Sequence, residues 1–377
     1  MSAIPEESPT EVVDTVVVGG GQAGLAMGYY LALQGRDFII LDAESRVGDA
    51  WRQRWDSLRL FTPAKYDGLP GLPIAGDRLG FPAKDDVADY LEAYAAHFYL
   101  PVSTGVRVDR LWREGDRFVV AAGERVWRAE NVVVATGGSQ VPRVPSVWAG
   151  LAPSVVQLHS AAYRNPAQLR PGGVLVVGVG NSGAEIALEL SRTHPTWIAG
   201  RPSGEIPVRH GRMAARFVLP VVRFVGLHVL NLHTPIGRRA APGFLAHASP
   251  LIRVKVKDLA AAGVRFVPRV VGAENGCPVV EGGRVLDVAN VIWCTGYRGD
   301  FGWIDLPIFD EGGQPVYYRG VASAVSGLYF LGQEFQFTAV SATLVGLRRD
   351  AKYLADKIGA VAPATSARRQ ASPIGVP

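Results

Sequence analysis

The chain has 377 residues, 48% of them hydrophobic and 19% charged, with a net charge of +5. That length predicts two or three soluble domains with ample core, and the scattered Lys and Arg point to a mildly basic surface rather than a nucleic-acid partner. Two cysteines, Cys277 and Cys294, without C-x-x-C spacing, argue against a disulfide framework, a metal site or a redox dithiol.

Residues 1–12 carry Glu6, Glu7 and Glu11 and no apolar core, so they predict a disordered start rather than a signal peptide. Residues 15–18 are a β-branched run and predict a buried strand. Gly19-Gly20-Gly21-Gln22-Ala23-Gly24 follows, satisfying G-x-G-x-x-G, then a helical segment capped by Gly35 and a second strand at 38–41 ending on Asp42. Strand, glycine turn, helix, strand and terminal acid together point to a bound dinucleotide. Gly19 allows the tight turn, Gly21 has no side chain to block a pyrophosphate, and Gly24 lets the helix approach the strand. The helix N-terminus offers N–H groups to phosphate, and Asp42 is placed to accept hydrogen bonds from ribose hydroxyls.

Gly48, Trp51 and a Pro- and Gly-rich loop over 56–82 come next; a loop this long in a compact domain signals function. A helix is predicted over 85–97. Three alternating runs (107–111, 117–121, 125–129) predict a β-meander, leading to a buried strand at 131–134 that ends on Ala135-Thr136-Gly137.

The plan then repeats. A strand at 174–177 meets Gly178-Val179-Gly180-Asn181-Ser182-Gly183, followed by a helix over 184–191 and a strand over 196–199. A second meander (264–271, 278–280, 284–287) and a second strand-to-turn, 291–297 with Cys294-Thr295-Gly296-Tyr297, complete it. Residues 203–259, basic and apolar, predict helices of no evident role. The most apolar stretch, 217–230, is shorter than the ~20 residues a bilayer span needs, so no membrane span is expected and a cytoplasmic location is. A strand at 328–332 ending in Gly332-Gln333 and a helix over 341–358 with Ser341 as N-cap close the ordered part. A Pro-, Ala- and Arg-rich tail, 362–377, predicts disorder.

The two repeats differ where the cofactor ribose is read. Asp42 suits a free diol and repels a 2′-phosphate; the position 18 residues after Gly183 is Arg201, whose guanidinium pairs with a 2′-phosphate, which indicates NADPH. Arg192 is placed to assist. The alternative for both arginines is a solvated surface charge. A nicotinamide in the second site leaves FAD as the sensible occupant of the first, since a flavin accepts hydride.

These stretches, in this order and over residues 15–358, resemble the flavin-containing monooxygenases and related bacterial flavoproteins. The resemblance implies an α/β fold of two Rossmann-like dinucleotide-binding domains, each with a β-meander insertion, the NADPH domain inserted in the FAD domain. The expected parts are an FAD domain over 13–150 and 291–361 and an NADPH domain over 151–290. It implies FAD and NADPH as cofactors, a small organic substrate and molecular oxygen as partners, and reduction of FAD by NADPH followed by oxygenation through a C4a-peroxyflavin. Gly19, Gly21, Gln22, Ala23, Gly24, Asp42, Trp51, Thr62, Thr136, Gly137, Gly332 and Gln333 are expected around FAD. Gly178, Gly180, Asn181, Ser182, Gly183 and Arg201 are expected around NADPH. No side chain stands out as a catalytic acid or base, and a homodimer is one admissible assembly.

Two departures matter. The family fingerprint F-x-G-x-x-x-H-x-x-x-[YFW] appears with Pro153 and Val155 at the Phe and Gly positions and with His159 and Tyr163 matching; Tyr163 in place of Trp favours heteroatom or carbon oxygenation over Baeyer–Villiger insertion. His159 reads as a hinge or packing residue or as a catalyst. Where the family offers a polar residue near the flavin, Phe61 stands, with Thr62 next. An NADPH oxidase or electron-transfer reductase, and a flavin-bound redox sensor, therefore stay open beside the monooxygenase.

Overall fold

The structure, a computed structural model, describes residues 10–246 and 249–360. The expected disorder at 1–9 and 362–377 lies outside those residues.

Two sheets, one mixed and one parallel, organise the chain. The first begins with β1 (Thr10–Val18), α1 (Gln22–Leu33) and β2 (Phe38–Leu41). It continues through α2 (Lys84–His97), β3 (Val102–Ser103), β4 (Arg110–Glu114), β5 (Arg117–Ala122) and β6 (Arg125–Val134). The chain then leaves for the second sheet, built from β7 (Val156–His159), β8 (Val174–Val177), α3 (Asn181–Leu190), β9 (Thr196–Ala199), β10 (Arg265–Val267) and, beyond a meander, β14 (Asn290–Trp293). The meander is β11 (Val270–Glu274), β12 (Cys277–Val280) and β13 (Arg284–Val285). The chain returns to the first sheet as β15 (Tyr317–Tyr318), β16 (Val321–Ala322) and β17 (Leu328–Phe330), and α4 (Leu344–Gly359) packs on α1.

The first sheet has nine strands in the order β15-β16-β17-β6-β1-β2-β3, with β5 and β4 branching from β6; the second runs β10-β9-β8-β14-β7 and is parallel throughout. The fold is therefore α/β with two Rossmann-like units, one inserted in the other. The β-branched runs are central strands buried on both faces, as parallel sheets require. Val17 and Val133 face α1 and α4, while Val16, Val18, Val132 and Val134 face Phe118 and Leu328. Each such side chain contributes about 1.5–3 kcal/mol by leaving water.

Four expectations are corrected. Thr10, Glu11 and Val12, expected disordered, start β1 by pairing with Val126, Trp127 and Arg128. The runs 125–129 and 131–134 are one ten-residue strand, because β1 pairs along both runs while β5 pairs with 125–129 and β17 with 132–134. Residues 265–267 extend the parallel sheet beside β9, so the second meander starts only at Val270. The last helix begins at Leu344 with Thr343 as N-cap; Ser341 is buried, and its Oγ accepts from the N–H groups of Phe337 (3.1 Å) and Thr338 (2.9 Å), closing the loop before the helix.

Candidate dinucleotide-binding site

The two glycine loops obey one set of steric rules. Gly19 and Gly178 both sit at φ +110°, and a β-carbon there would meet the carbonyl oxygen of Ala135 at 2.6 Å and of Cys294 at 2.3 Å. Each loop is thus backed by the end of the strand-to-turn beside it. A β-carbon on Gly24 would lie 1.9 Å from the Gly19 oxygen, and one on Gly183 2.0 Å from the Gly178 oxygen. Glycine at these positions is a steric requirement of helix-to-turn packing. A β-carbon on Gly21 meets nothing within 4 Å, so the loop is open on the side where a pyrophosphate would approach. Neither α1 nor α3 carries a side-chain N-cap, and their first turns hold no acid, which leaves backbone N–H groups available to an anion.

The loops differ at their second residue, and Asp42 explains why. It is buried at the end of β2, and its Oδ2 occupies the space a β-carbon on Gly20 would need, 2.6 Å away. Burial raises its pKa, while backbone N–H groups of Glu44 (3.3 Å), Gly20 and Ala43 favour the carboxylate. In the second loop Val179 fills the position and is buried in the core beneath that sheet. The residue corresponding to Asp42, Arg201, is exposed and pairs with no acid among the described residues, beyond Gly200 at φ +118°. Arg192 is also exposed.

Most of the first group comes together. Gln22 opens α1 and accepts a 3.0 Å hydrogen bond from Trp51 Nε1. Ala23 lies under Gly332, where a β-carbon would be 3.1 Å from the Ala23 Cβ. Gln333, next in the chain, is buried with Nε2 unpartnered. Thr136 and Gly137 are held by Gln140, whose Nε2 donates to the Gly137 carbonyl at 2.9 Å and to Thr136 Oγ1. Thr62 Oγ1 donates to Asp67 Oδ1 at 2.5 Å. In the second group Ser182 follows Asn181 at the start of α3. The Asn181 side chain holds the loop at 250–252, donating to the Pro250 carbonyl at 3.0 Å and accepting from the Ile252 N–H at 2.9 Å.

His159 is resolved by its partners. Its Nδ1 accepts from the Ala161 N–H at 3.1 Å, so Nε2 carries the proton and donates to the Gly296 carbonyl at 3.1 Å. Burial lowers its pKa against the hydrogen bond to Gly296, which favours the neutral ring. The ring packs edge-on against Tyr297, whose hydroxyl accepts from Arg54 at 3.0 Å. His159 thus holds the second strand-to-turn, and Tyr297 ties that turn to Arg54 in the loop after Trp51. Tyr163 is fully buried and donates to Glu189 at 2.7 Å on α3.

Sequence reasoning missed two groups here. Asp67 is fully buried with Oδ2 unpartnered; burial raises its pKa to about 7 against the Thr62 hydrogen bond. His210 Nε2 lies 2.9 Å from the Phe61 carbonyl and closes the far side of the same loop. Neither has a local sequence signature, since each is defined by contacts made across the chain.

The comparisons with known proteins agree with this fold. The family model described as pyridine nucleotide-disulphide oxidoreductase matches residues 16–198. An uncharacterized CzcO-like oxidoreductase of Geobacillus kaustophilus is 39% identical over 351 residues, covering 92% of this chain and 98% of the relative. The solved flavin-containing monooxygenase of Stenotrophomonas maltophilia superposes with a TM-score of 0.76 at 31% identity, covering 93% of this chain and 99% of that one. The chain belongs to the flavin-containing monooxygenase-like family. It is a flavin-dependent oxidoreductase whose cofactors are FAD and NADPH. Indole-3-pyruvate monooxygenase YUCCA8 of Oryza sativa subsp. japonica, 30% identical over 346 residues and covered to 82%, carries the same relationship into the plant flavin monooxygenases. Both cysteines of this family member are free thiols, and burial raises that of Cys294 to about 12, so it lacks the reactive pair of a disulfide reductase.

The first site fits FAD: a loop without side chains on its approach side, an uncapped twelve-residue helix, a buried carboxylate at the ribose position and the orphaned Gln333 amide. The second fits NADPH by the same loop and the free guanidinium of Arg201.

Proposed function

We propose that this chain is an NADPH-dependent FAD monooxygenase acting on a small organic substrate. The observation that carries the proposal is the pairing of two loops of one geometry with residues of opposite charge at their ribose ends, a buried Asp42 and an exposed Arg201. Bound FAD supplies the hydride acceptor and the centre that activates oxygen. The chain's own residues bind and orient. Asp42 accepts hydrogen bonds from the FAD ribose, and the backbone N–H groups from Gly21 to Gly24 take the pyrophosphate. Thr136, Gly137, Gly332 and Gln333 line the flavin side, with Gln333 Nε2 donating to it. Gly178, Gly180, Ser182 and Gly183 hold the NADPH pyrophosphate, and Arg201 reads its 2′-phosphate. Trp51, fixed by Gln22, and Phe61 exclude water from the space between the cofactors. The cytoplasm is the proposed location.

A second reading, NADPH oxidation without oxygen transfer, is favoured by Phe61, whose side chain donates no hydrogen bond at the family's polar position. The two separate in one experiment. The holoenzyme is given NADPH, ¹⁸O₂ and a panel holding an aryl thioether, an amine and an aryl 2-oxo acid, the last because a relative acts on indole-3-pyruvate. Labelled product formed in proportion to NADPH consumed supports the monooxygenase. Recovery of all NADPH electrons as hydrogen peroxide, with no label in any member of the panel, supports the oxidase.

A further inference from the structure

The stretch 203–259 has no part in either glycine loop, and its surface is unusual. No Asp or Glu stands between Glu205 and Asp258, whereas Arg209, Arg212, Arg216, Arg223, Arg238 and Arg239 all do. Residues 212–229 wind as helix around two π-helical turns, Ala214–Val218 and Val225–Val229, and a second helix, Pro235–Ala246, follows. Its outward face is apolar. Met213 is 72% exposed, Phe217 59%, Val221 59% and Phe224 58%, at the i, i+4, i+8, i+11 spacing of one helix face, and Ile236 and Leu245 on the second helix are equally exposed. Arg216, Arg223, Arg238 and Arg239 are exposed around them.

The inward face is tied to the loops flanking the proposed flavin site. The Ala215 carbonyl accepts from Lys65 at 2.8 Å, the Leu227 carbonyl from Arg349 at 2.8 Å, and Gly226 packs so closely on Val340 that a β-carbon would lie 3.0 Å from its Cγ1. The helical pair is therefore a roof, pinned below by backbone contacts and bare above.

A soluble monomer rarely leaves so many large apolar side chains in one exposed row. Among the described residues no helix is long and apolar enough to cross a membrane, so the row does not mark a span. A second copy of this chain is disfavoured by charge, because an isologous contact would set this basic segment against the same basic segment of the other copy, with no acid between Glu205 and Asp258 to pair the arginines. A helix pair with an apolar face ringed by arginines matches the surface of an anionic bilayer, whose acyl boundary takes the apolar face and whose headgroups pair with the guanidinium groups. We propose that the 212–246 helical pair docks this enzyme peripherally on an anionic lipid surface. The docked face is the outer side of the roof over loop 61–66.

The test is co-sedimentation of the purified FAD-loaded chain with phosphatidylcholine vesicles, with and without a minority of phosphatidylglycerol. The expected result is about tenfold more bound protein on the anionic vesicles, falling steeply with added salt. Phe217→Ser with Phe224→Ser should lose about tenfold in binding while flavin content and NADPH oxidation in solution stay at wild-type level, which controls for folding. Arg216→Gln with Arg239→Gln should lose the preference for phosphatidylglycerol. Equal pelleting of wild type and the Phe variant, or equal binding to both vesicles, overturns the proposal. So does a wild-type dimer in solution that the Phe variant dissolves, which would assign the face to a second copy.

Discussion

The two glycine loops are near copies in backbone and opposites in chemistry. Both use a positive-φ glycine against a neighbouring carbonyl, and both close a helix onto a strand at about 2 Å from a would-be β-carbon. Besides Gln22-Ala23 against Asn181-Ser182, they part at a linked residue pair: Gly20 with Asp42 in the first, Val179 with Arg201 in the second. Gly20 is glycine because the Asp42 carboxylate fills the β-carbon's place, and Val179 is affordable because Arg201 points to solvent. One choice at the end of the second strand thus sets a residue 22 positions upstream in each repeat. The second position of each loop therefore answers to the residue that ends the following strand.

The largest expected effects break what the loops share. Gly24→Ala forces a β-carbon into the Gly19 carbonyl, an overlap that costs on the order of 3 kcal/mol or more. Flavin content after purification should fall below about a tenth of wild type. Gly183→Ala makes the same collision in the second loop and should keep the protein yellow while slowing flavin reduction by NADPH by about two orders of magnitude. If Gly183→Ala instead loses its flavin, the two loops are not assigned to different cofactors.

The next effect breaks what they do not share. Gly20→Val puts the second loop's residue into the first, where it meets Asp42. Flavin binding should weaken by about a hundredfold, and adding Asp42→Ala should relieve the clash without restoring affinity. The reverse exchange, Val179→Gly, removes a buried side chain and should cost about 1.5–3 kcal/mol of stability with coenzyme choice unchanged. A fall in flavin content with Val179→Gly would show that the second positions are not independent.

A further contrast concerns the buried acids beside each site. Glu185 on α3 is raised to about 7 by burial but has Arg253 at 3.3 Å, whereas Asp67 has only the Thr62 hydroxyl. A carboxyl whose folded-state pKa lies above its unfolded value holds more protons when folded, so its stability contribution is full below about pH 4 and is lost as pH rises to about 7. Asp67→Asn should therefore gain stability relative to wild type across that window and level off above it, by a few kcal/mol at most, on the order of 1.4 per pH unit. Parallel denaturation curves for the two proteins at pH 5 and pH 8 would show that Asp67 ionises normally.

How much of this was legible in the sequence follows from the range of the forces involved. The glycine loops, α1, β2, β8 and β9 lie where spacing put them, because the turn, helix start and strand are fixed by neighbours within a few residues. The fused strand at 125–134 was not legible, since its continuity comes from pairing with two strands distant in the chain. The 265–267 strand was read into a meander for the same reason. Ser341 had the chemistry of an N-cap, but its hydroxyl serves Phe337 and Thr338 in the preceding turn. Thr62 was assigned to the flavin on loop position alone, and the structure gives its hydroxyl to Asp67. The roof at 212–246 was visible as a basic, apolar stretch, but periodicity could not show which face was left bare.

The central claim, that opposite charge at the two ribose ends sorts the cofactors, is tested most directly by coenzyme preference. The measurement is kcat/KM for NADPH and for NADH in wild type and Arg201→Ala. Loss of a charge-assisted contact to the 2′-phosphate, worth about 1.5–3 kcal/mol, should lower the NADPH value by roughly 10- to 150-fold through KM. The NADH value and the flavin content should be unchanged. A wild type that uses both coenzymes equally, or a variant that loses both together, would contradict it.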